Sequence, residues 1–496
     1  MNDRPSYPWS EGDALFAAEL NAAIANMGVP LDGSPVTFTG PLIYTATGGT
    51  TPRSAQDRSA DVVNVLDWGA ICDGVANDTA AFTLAFNYAV ASGGKTVVIP
   101  AGKCCYLPNG ITVPSGVTLE GLSYYANPPR MPGSTTVISP PSSSILTNAN
   151  INSVRLGTGG NLQAVTLRNL VIATNASVAP TAGAGVYVNT GHQVHCESVM
   201  VYNAYDGFYW KTSGSAGIYG TMDLCNTDMI SGHHVVMDTW AELRLNLCRF
   251  SGTYGAAAYV YMTGGGPAGQ ILPNGYFATN CQYNENGPTV GALLSVGGLV
   301  STAAAASQEY HFVNCHAEHY NYTVRTDATV TTLQKVRFVG CTLFAQGFAG
   351  SSDFFNINPA TAQIFQVILI GNEIAAPSMT VPVGFQECEF VGNSIYLRDK
   401  SAVWGTVTLT GASGGTMCFQ ANGVVGHITL AGAWGGTGGL LVDATMRSGF
   451  TLTNTATGNV RVSVPGYALR MTGLPTSSAG LAAGDIWRNG TVLNIV

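Results

Sequence analysis

A strand pattern that recurs between residues 145 and 400 constrains the fold more than any other feature of the sequence. Each recurrence is a short run of alternating apolar residues, and most runs carry a Cys, Asn or Gly near the bend. The runs occupy residues 167–172, 193–201, 221–230, 243–252, 276–287, 311–320, 336–346, 367–376 and 388–397. A strand in the same place of every repeat, with loops of variable length between, is typical of a parallel β-helix, in which each repeat forms one coil.

Cysteines mark the register of these repeats. Successive members are separated by 29, 23, 33, 34 and 26 residues and stand at corresponding places: Cys196, Cys225, Cys248, Cys281, Cys315 and Cys341. A redox or metal site is the alternative, but a free Cys packs as a small apolar side chain, so we expect an internal ladder of buried thiols. The cysteine total of 11 is odd and no C-x-x-C pair occurs, which predicts a reduced protein made in the cytosol, without a structural metal.

Composition narrows the class of protein further. Only 10% of the residues are charged and 61 of 496 are Gly. Few charges and many β-branched residues exclude a disordered chain and a coiled coil. A formal net charge of −8, with 20 Lys and Arg, argues against nucleic acid as a partner. The first residues lack the pattern of a secretory signal, and the least charged stretch, 291–308, is too short and too polar to predict a membrane span.

The sequence predicts an all-β protein of three parts. Residues 1–61 hold a short helix followed by a linker rich in Pro and Gly. Residues 62–400 form the parallel β-helix, with one early helix that has Asp78 or Thr79 as its N-cap. Residues 401–496 contain short strands and Gly-rich turns.

The segment from Val63 to about Gly121 resembles a known family. It begins VNVLDWGAICDGVANDTAAFTLAFNYAVASGGKTVVIPAGKCCYL and is similar to the opening of the pectate-lyase-like, right-handed β-helix superfamily found in bacteriophage tailspikes. The matching motifs are, in order, Asp67, Gly69-Ala70, Asp73-Gly74, Asp78-Thr79-Ala80, Gly93-Gly94, Ile99-Pro100-Ala101-Gly102 and Val113-Pro114-Ser115-Gly116. ELNAAIA near the start and GDIWRNGTVLNIV near the end also resemble segments of phage tail proteins.

This resemblance implies a right-handed β-helix in a homotrimeric tailspike of the virion tail. The N-terminal part would join a phage tail or baseplate protein, and residues 401–496 would form a trimerisation region. The family recognises, and often depolymerises, a polysaccharide of the bacterial surface; we expect neither a cofactor nor membrane insertion. Asp67, Asp73 and Asp78 stand where the family has turn and cap residues, so structural roles are expected for them.

Hydrolysis of a glycoside needs two carboxyl groups that flank the bond, about 5 to 5.5 Å apart in retaining enzymes and about 6.5 to 9.5 Å apart in inverting ones. The coils of a β-helix are stacked about 4.8 Å apart, so outward acids on neighbouring coils fall into this range of distances. Counting three or four residues on from the cysteines places Asp228, Glu285 and Glu318 in nearly one column. Glu285 and Glu318, on consecutive coils, are the predicted catalytic pair, since crowding would raise one of their pKa values. The alternative is a solvated polar face. The side chains predicted to contact sugar here are Tyr283, His316, His319, Tyr320, Tyr322 and Arg325.

A second candidate catalytic acid is Asp206, in the segment NAYDGFYW. An Asp before Gly is also common in turns, which is the alternative for this residue. The side chains predicted beside it, with Trp210 as a sugar-binding residue, are Tyr209, Trp210, His233, His234 and Asp238. In a third arrangement, acids of two subunits meet in the groove between them.

Hydrolysis is favoured over elimination, because lyases of this fold generally use a basic Arg or Lys and often calcium, whereas Lys is scarce here and no calcium loop is seen. A net-negative protein also suits a neutral polysaccharide better than an anionic one. The predicted function is therefore recognition and endoglycosidic depolymerisation of a capsule, exopolysaccharide or O-antigen. The competing functions are a non-catalytic receptor-binding tail protein, a polysaccharide lyase on the same fold and a cellular pectinase-like enzyme.

Overall fold

The computed structural model describes the chain in segments, and the chain forms two compact units, Met1–Val62 and Val63–Val496. The described residues are 43–44, 53–54, 61–123, 142–157, 162–189, 191–211, 219–238, 242–252, 254–263, 275–284, 290–297, 309–327, 330, 332–345, 353–358, 363–381, 385–397, 406–411, 416–425, 427–432, 440–446, 460–463, 486–489 and 492–495. In the first unit, Ile43–Tyr44 and Arg53–Ser54 pair antiparallel. The predicted N-terminal helix and Glu285 lie outside the described residues.

The coiled part of the chain opens with two short strands and a helix. Val62–Asn64 is a strand, Val65–Trp68 a 3-10 turn and Asp73–Asn77 a second strand. The α-helix Thr79–Ala91 follows, as predicted. Its buried face, which includes Phe82, shares one apolar core with the coils, so the helix packs against the first strands of the stack.

Two acids of this opening segment, Asp73 and Asp78, have structural roles, as expected. Asp73 accepts hydrogen bonds from two backbone N–H groups of its own turn at 2.9 and 2.8 Å. Asp78 precedes the helix, but its carboxylate accepts from backbone N–H groups of the preceding loop and of Tyr106 instead of capping the helix. The side chain of Asn77 accepts from the N–H of Thr79, the first residue of the helix, at 3.1 Å.

The rest of the chain winds as a three-sided coil of parallel strands. The first face contains Thr96–Ile99, Thr118–Gly121, Tyr219–Asp223, Glu242–Asn246, Gly275–Thr279, Glu309–Val313, Thr332–Val339, Gln363–Ile370, Phe385–Val391 and Val460–Ser463. The second face contains Cys104–Tyr106, Ser144–Asn148, Asn226–Asp228, Arg249–Phe250, Gln282–Tyr283, His316–Glu318, Thr342–Phe344, Glu373–Ala376 and Ser394–Leu397. The strands that bend from the first face to the second are Leu162–Asn175, Gly191–Tyr202, Thr416–Val425 and Leu440–Met446.

The third face completes each coil. Its nine-stranded parallel sheet contains Ile111–Val113, Val154–Leu156, Ala184–Asn189, Asp206–Lys211, His233–Asp238, Ala258–Thr263, Val290–Gly297, Tyr320–Thr326 and Phe355–Asn356. A three-stranded parallel sheet follows with Met379–Val381, Thr406–Gly411 and His427–Gly432. Near the end of the chain, Ile486–Asn489 and Val492–Ile495 pair antiparallel. The predicted right-handed parallel β-helix is confirmed, and its parallel pairing continues past residue 400 as far as Ser463.

A single residue in the left-handed region turns the chain from the first face to the second. Its φ is 54° at Leu224, Leu247 and Asn280, 52° at Asn314 and 63° at Gly340. Asn and Gly are the residues that adopt this conformation most readily, whereas a branched L side chain is strained there. The two leucines are therefore unusual occupants of the corner.

The residue after each corner points into the core and stacks on its counterpart in the next coil. These residues are Cys225, Cys248, Cys281, Cys315, Cys341, Asn372, Asn393 and Asn422, and all are buried. The expected ladder of buried thiols is thus confirmed for its last five cysteines. Cys196 was assigned to the wrong register: it is buried but pairs with Met222, two residues ahead of the corner, and Val199 holds the ladder position.

A disulfide between Cys72 and Cys105 corrects the expectation of a fully reduced chain. The two residues are 33 apart in sequence and meet because the strands Asp73–Asn77 and Cys104–Tyr106 pair in parallel. Spacing alone could not indicate this contact, which arises only when the first coil closes. The remaining nine cysteines are free. No helix in the described part of the chain has both the length and the apolar character that crossing a membrane requires.

Candidate functional site

The predicted acids of the second face are only partly brought together. Glu318 lies 3.4 Å from His316 Nε2, and the strand register sets Asn284 of the preceding coil beside it. Asp228 belongs to the same column, but Ser251 and Asn284 occupy the two coils between it and Glu318, so these two acids do not pair. The register leaves the Glu285–Glu318 pair untested, because Glu285 lies outside the described residues.

Three predicted sugar-binding aromatics are in the core instead. Tyr283, Tyr320 and Trp210 are each 0% exposed. They occupy inward positions of their strands, where alternation along the strand turns every second side chain to the interior. Tyr283 bonds Tyr276 there, hydroxyl to hydroxyl at 2.9 Å. None of the three can stack against a sugar, so these assignments were wrong.

The other predicted contacts are distributed over two faces. His316 is on the second face, and His319 forms the next corner with a φ of 60°. Tyr322 and Arg325 lie on the strand Tyr320–Thr326 of the third face, turned away from the column that contains Glu318. The predicted binding group is therefore not one compact site.

The Asp206 cluster does form on the third face, but its acid is anchored. Asp206 is 6% exposed, and its Oδ1 accepts from the backbone N–H of His233 at 2.9 Å and lies 3.0 Å from the Nδ1 of that ring. The hydroxyl of Tyr209 donates to Asp238 at 2.9 Å. Burial lowers the pKa of His234 to about 3, so this imidazole is neutral inside the core. An acid so enclosed is better suited to fixing the loop than to reaching a substrate.

The first face carries a row of polar and aromatic side chains that the sequence reasoning missed. We call it the outer row; in register, one residue per coil, it consists of His195, Thr221, Arg244, Phe277, His311 and Arg337. The guanidinium of Arg244 lies 5.8 Å from the centre of the Phe277 ring, and that ring meets His311 at 5.0 Å in an edge arrangement. The row combines charge with an aromatic surface.

Two carboxylates flank one imidazole at the start of the outer row. Glu197 and Asp223 are register partners on adjacent coils. His195 Nε2 lies 3.7 Å from Glu197, and its Nδ1 lies 3.8 Å from Asp223. The two acid side chains are 46% and 38% exposed, so solvent and substrate can reach them. Two outward acids in one column on adjacent coils are the arrangement that the sequence analysis predicted for the second face.

An open groove of about 530 Å³ lies beside this pair and spans three adjacent coils of the first face. Its lining residues are Thr221, Asp223, Arg244, Leu245, Asn246, Phe277 and Thr279. Carboxylate, guanidinium, amide and aromatic groups in one open groove match what a sugar chain needs, namely hydrogen bonds to hydroxyl groups and a flat surface for ring stacking.

The sequence contained a signal for this site. Outward residues of the first face precede each ladder cysteine by two and four positions, as Asp223 and Thr221 precede Cys225. Applied to Val199, the same rule gives Glu197 and His195. The error in the register of Cys196 concealed that pair.

One group of the described residues is compact enough to suggest a metal ligand set: Cys72, Asp78 and Cys105. Its two sulfur atoms form the disulfide, and its carboxylate accepts backbone hydrogen bonds. These groups are therefore already engaged in structural interactions.

No protein-family model matches the chain, and no curated protein matches it. Solved structures do. The tailspike protein of E. coli bacteriophage HK620, as a mutant in complex with a hexasaccharide, is 15% identical, with 88% of this chain and 84% of that chain covered and a TM-score of 0.56. The same tailspike with a pentasaccharide gives 14% identity, coverage of 86% and 82% and a TM-score of 0.53.

Tailspike protein 3 of bacteriophage CBA120 is similar over 97% of this chain and 73% of that one, at 14% identity and a TM-score of 0.49. At such identities the likeness establishes the fold. The chain has the right-handed β-helix of the tailspike proteins, which is the fold that its opening motifs predict.

Proposed function

We propose that the protein is a tailspike that binds a bacterial surface polysaccharide along its first face and hydrolyses it with Glu197 and Asp223. The observation that carries the proposal is the geometry of this pair, two exposed acids on adjacent coils within 4 Å of one imidazole. A tailspike of the same fold carries a bound hexasaccharide, which supports a carbohydrate ligand.

The pair fits the requirements of glycoside hydrolysis. Adjacent strands lie about 4.8 Å apart, and side chains on them can reach the separations of about 5 to 9.5 Å that retaining and inverting glycosidases use. One carboxyl group protonates the leaving oxygen, and the other activates water or attacks the sugar. The Nδ1 of His195 also hydrogen-bonds the hydroxyl of Thr221 at 2.5 Å, which holds the imidazole between the two carboxylates.

The groove supplies the binding energy and the orientation. Phe277 offers a flat apolar surface against which a sugar ring can stack, and Arg244 and Asn246 offer hydrogen bonds to hydroxyl groups. Because the groove is open and spans three coils, an extended polysaccharide is a better match than a small ligand.

The wider proposal retains the expected assembly. The protein would act as a homotrimer in the virion tail, attached through its N-terminal part to another tail protein. Sedimentation of the full chain tests the trimer, and a single-chain mass would instead favour the cellular pectinase-like enzyme.

The test is incubation of the full-length protein with capsule or lipopolysaccharide of candidate hosts, followed by measurement of the length of the polysaccharide chains. Glu197→Gln and Asp223→Asn should each slow cleavage by about 100-fold or more and leave binding intact. Glu285→Gln, Glu318→Gln and Asp206→Asn are matched isosteric controls that should cleave like the wild type.

Each of the other outcomes identifies a different site or a different function. Full activity of both Glu197→Gln and Asp223→Asn overturns the proposed pair, and loss of activity in Glu285→Gln or Glu318→Gln moves the site to the second face. Binding by the wild type without release of oligosaccharide identifies a receptor-binding protein that lacks catalysis. An unsaturated product, detected by its ultraviolet absorbance, identifies a lyase.

A further inference from the structure

Positive charge collects on the first face beyond the groove. Lys335 and Arg337 lie on one strand, in register with Glu309 and His311 of the preceding coil. Glu309 is the acid of this group, and it lies 3.4 Å from Lys335 Nζ and 3.2 Å from His311 Nε2. A single carboxylate is therefore shared by two basic side chains.

Arg337 is the basic side chain that this acid does not reach. None of the ion pairs among the described residues includes it, and its Nε is buried without a hydrogen-bond acceptor. The next coil offers Ile368 at the corresponding position, and the nearby Glu387 accepts a hydrogen bond from Gln366. A guanidinium has five N–H donors, and leaving a buried one unpaired is unfavourable.

The group carries a net positive charge. Burial lowers the pKa of His311, and the neighbouring cations Lys335 and Arg337 lower it further against the opposing effect of Glu309, so the imidazole is neutral at neutral pH. Lys335 and Arg337 then outweigh the single charge of Glu309. This local excess stands out on a chain whose net charge is −8.

The proposed function places a polysaccharide along this face, and on that basis we propose that Lys335 and Arg337 form a subsite for the carboxylate of an acidic sugar in the chain. A planar carboxylate matches the fork of N–H donors on a guanidinium. The substrate is therefore an acidic polysaccharide, which reverses the preference for a neutral one drawn from the net charge of the whole protein.

The position of the subsite separates recognition from chemistry. Arg337 follows Thr221, the neighbour of Asp223, by four coils in the outer row, which corresponds to about 19 Å of strand spacing. Phe277 and His311 lie between them in that row. A carboxylate held at Arg337 is thus several sugar units from the proposed acid pair and takes no part in bond cleavage, which keeps the reaction a hydrolysis.

Binding of purified acidic capsular polysaccharides tests this subsite, each polymer being used in native form and after chemical reduction of its carboxyl groups to alcohols. The full-length protein should bind at least one native polymer at least tenfold more tightly than its reduced form. Arg337→Gln and Lys335→Gln should remove that difference, and Arg337→Lys should retain part of it. Arg249→Gln, which changes an exposed arginine of the second face, is the control and should behave like the wild type.

Equal affinity for native and reduced polymers, or an equal loss in Arg249→Gln, overturns the subsite, as does failure to bind any acidic polymer. Cleavage is measured separately, with binding repeated in the Glu197→Gln variant. If binding still depends on the carboxylate but neither the wild type nor any variant cleaves the polymer, the subsite is supported and the proposed hydrolysis is wrong. If cleavage depends on Glu197 but the affinity is the same for native and reduced polymers, the hydrolysis is supported and the subsite is wrong.

Discussion

The side-chain amide of Asn393 donates through Nδ2 to Oδ1 of Asn422 on the next coil at 2.9 Å. Asn372 repeats this contact with Asn393 at the same distance. Each amide also donates to a backbone carbonyl, that of Leu369 at 2.8 Å in the case of Asn393. The ladder that begins with thiols therefore ends with amides that satisfy one another inside the core, as buried polar groups must.

Breaking this amide ladder should be costly. Asn393→Leu removes the acceptor of the Asn372 N–H and Nδ2 groups, so two buried donors lose their partner. We expect a loss of about 3 kcal/mol in the free energy of unfolding, measured by denaturant titration. Gln366→Ala removes an exposed hydrogen bond of the same length and should change stability by less than about 0.5 kcal/mol. Similar losses in the two variants would contradict a structural role for the ladder.

The leucine corners offer a stabilising change. Leu247 is 51% exposed with a φ of 54°, the same φ as Asn280 at the next corner. Leu247→Asn should relieve left-handed strain and raise the free energy of unfolding by up to about 1 kcal/mol. The reciprocal change Asn280→Leu should lower it by a similar amount. Equal thermal midpoints for both variants and the wild type would show that the corner tolerates either residue.

Thiol chemistry should distinguish the ladder from the partly exposed cysteines. The hydrogen bond with the Cys281 thiol, together with burial, raises the pKa of Cys315 to about 12, and the reactive species is the thiolate. In the folded protein a disulfide reagent should therefore reach at most Cys104 and Cys418, which are only half-buried.

The same assay tests the disulfide. Nine thiols should react after unfolding without a reductant, because Cys72 and Cys105 are joined. Prior reduction should raise that number to 11, the full cysteine total. A reading of 11 without reductant would exclude the Cys72–Cys105 bond.

Stability should fall on acidification because of His234. Its pKa is lowered from 6.5 to about 3 by burial, with a smaller contribution from His233. Between these pH values the unfolded chain binds a proton that the folded chain does not bind. The free energy of unfolding therefore rises with pH across this window, by at most about 1.4 kcal/mol per pH unit for one proton. Thermal midpoints measured across this range should show a shallower slope for His234→Gln than for the wild type. A slope unchanged in His234→Gln would contradict the assignment.

The fold could be predicted from the sequence because its determinants are local. The motif from Val63 to Gly121 and the recurrence of cysteines at a fixed place in each coil specify the winding, and both are visible without contacts. The disulfide could not be predicted, because its two cysteines lie in different strands and meet only through coil closure.

Prediction of the site required the correct register of each strand, and the register assigned to Cys196 was wrong. A shift of three residues at Cys196 hid Glu197. An inward or outward assignment that is wrong by one residue reverses the face, which is how Tyr283 and Tyr320 came to be placed at the surface. The contact of Asp206 with His233 was anticipated, but its near-complete enclosure depends on packing that no pattern displays.

The in-register stacking of the first face has a consequence for how such a protein can change. Each turn of the solenoid adds one step of fixed height. Gain or loss of a whole turn between Asp223 and Arg337 would therefore change the distance between the acid pair and the basic group by a single step. Recognition length would then vary in discrete increments, with every local packing interaction preserved. Diversification toward glycans of different repeat size would require no redesign of either end.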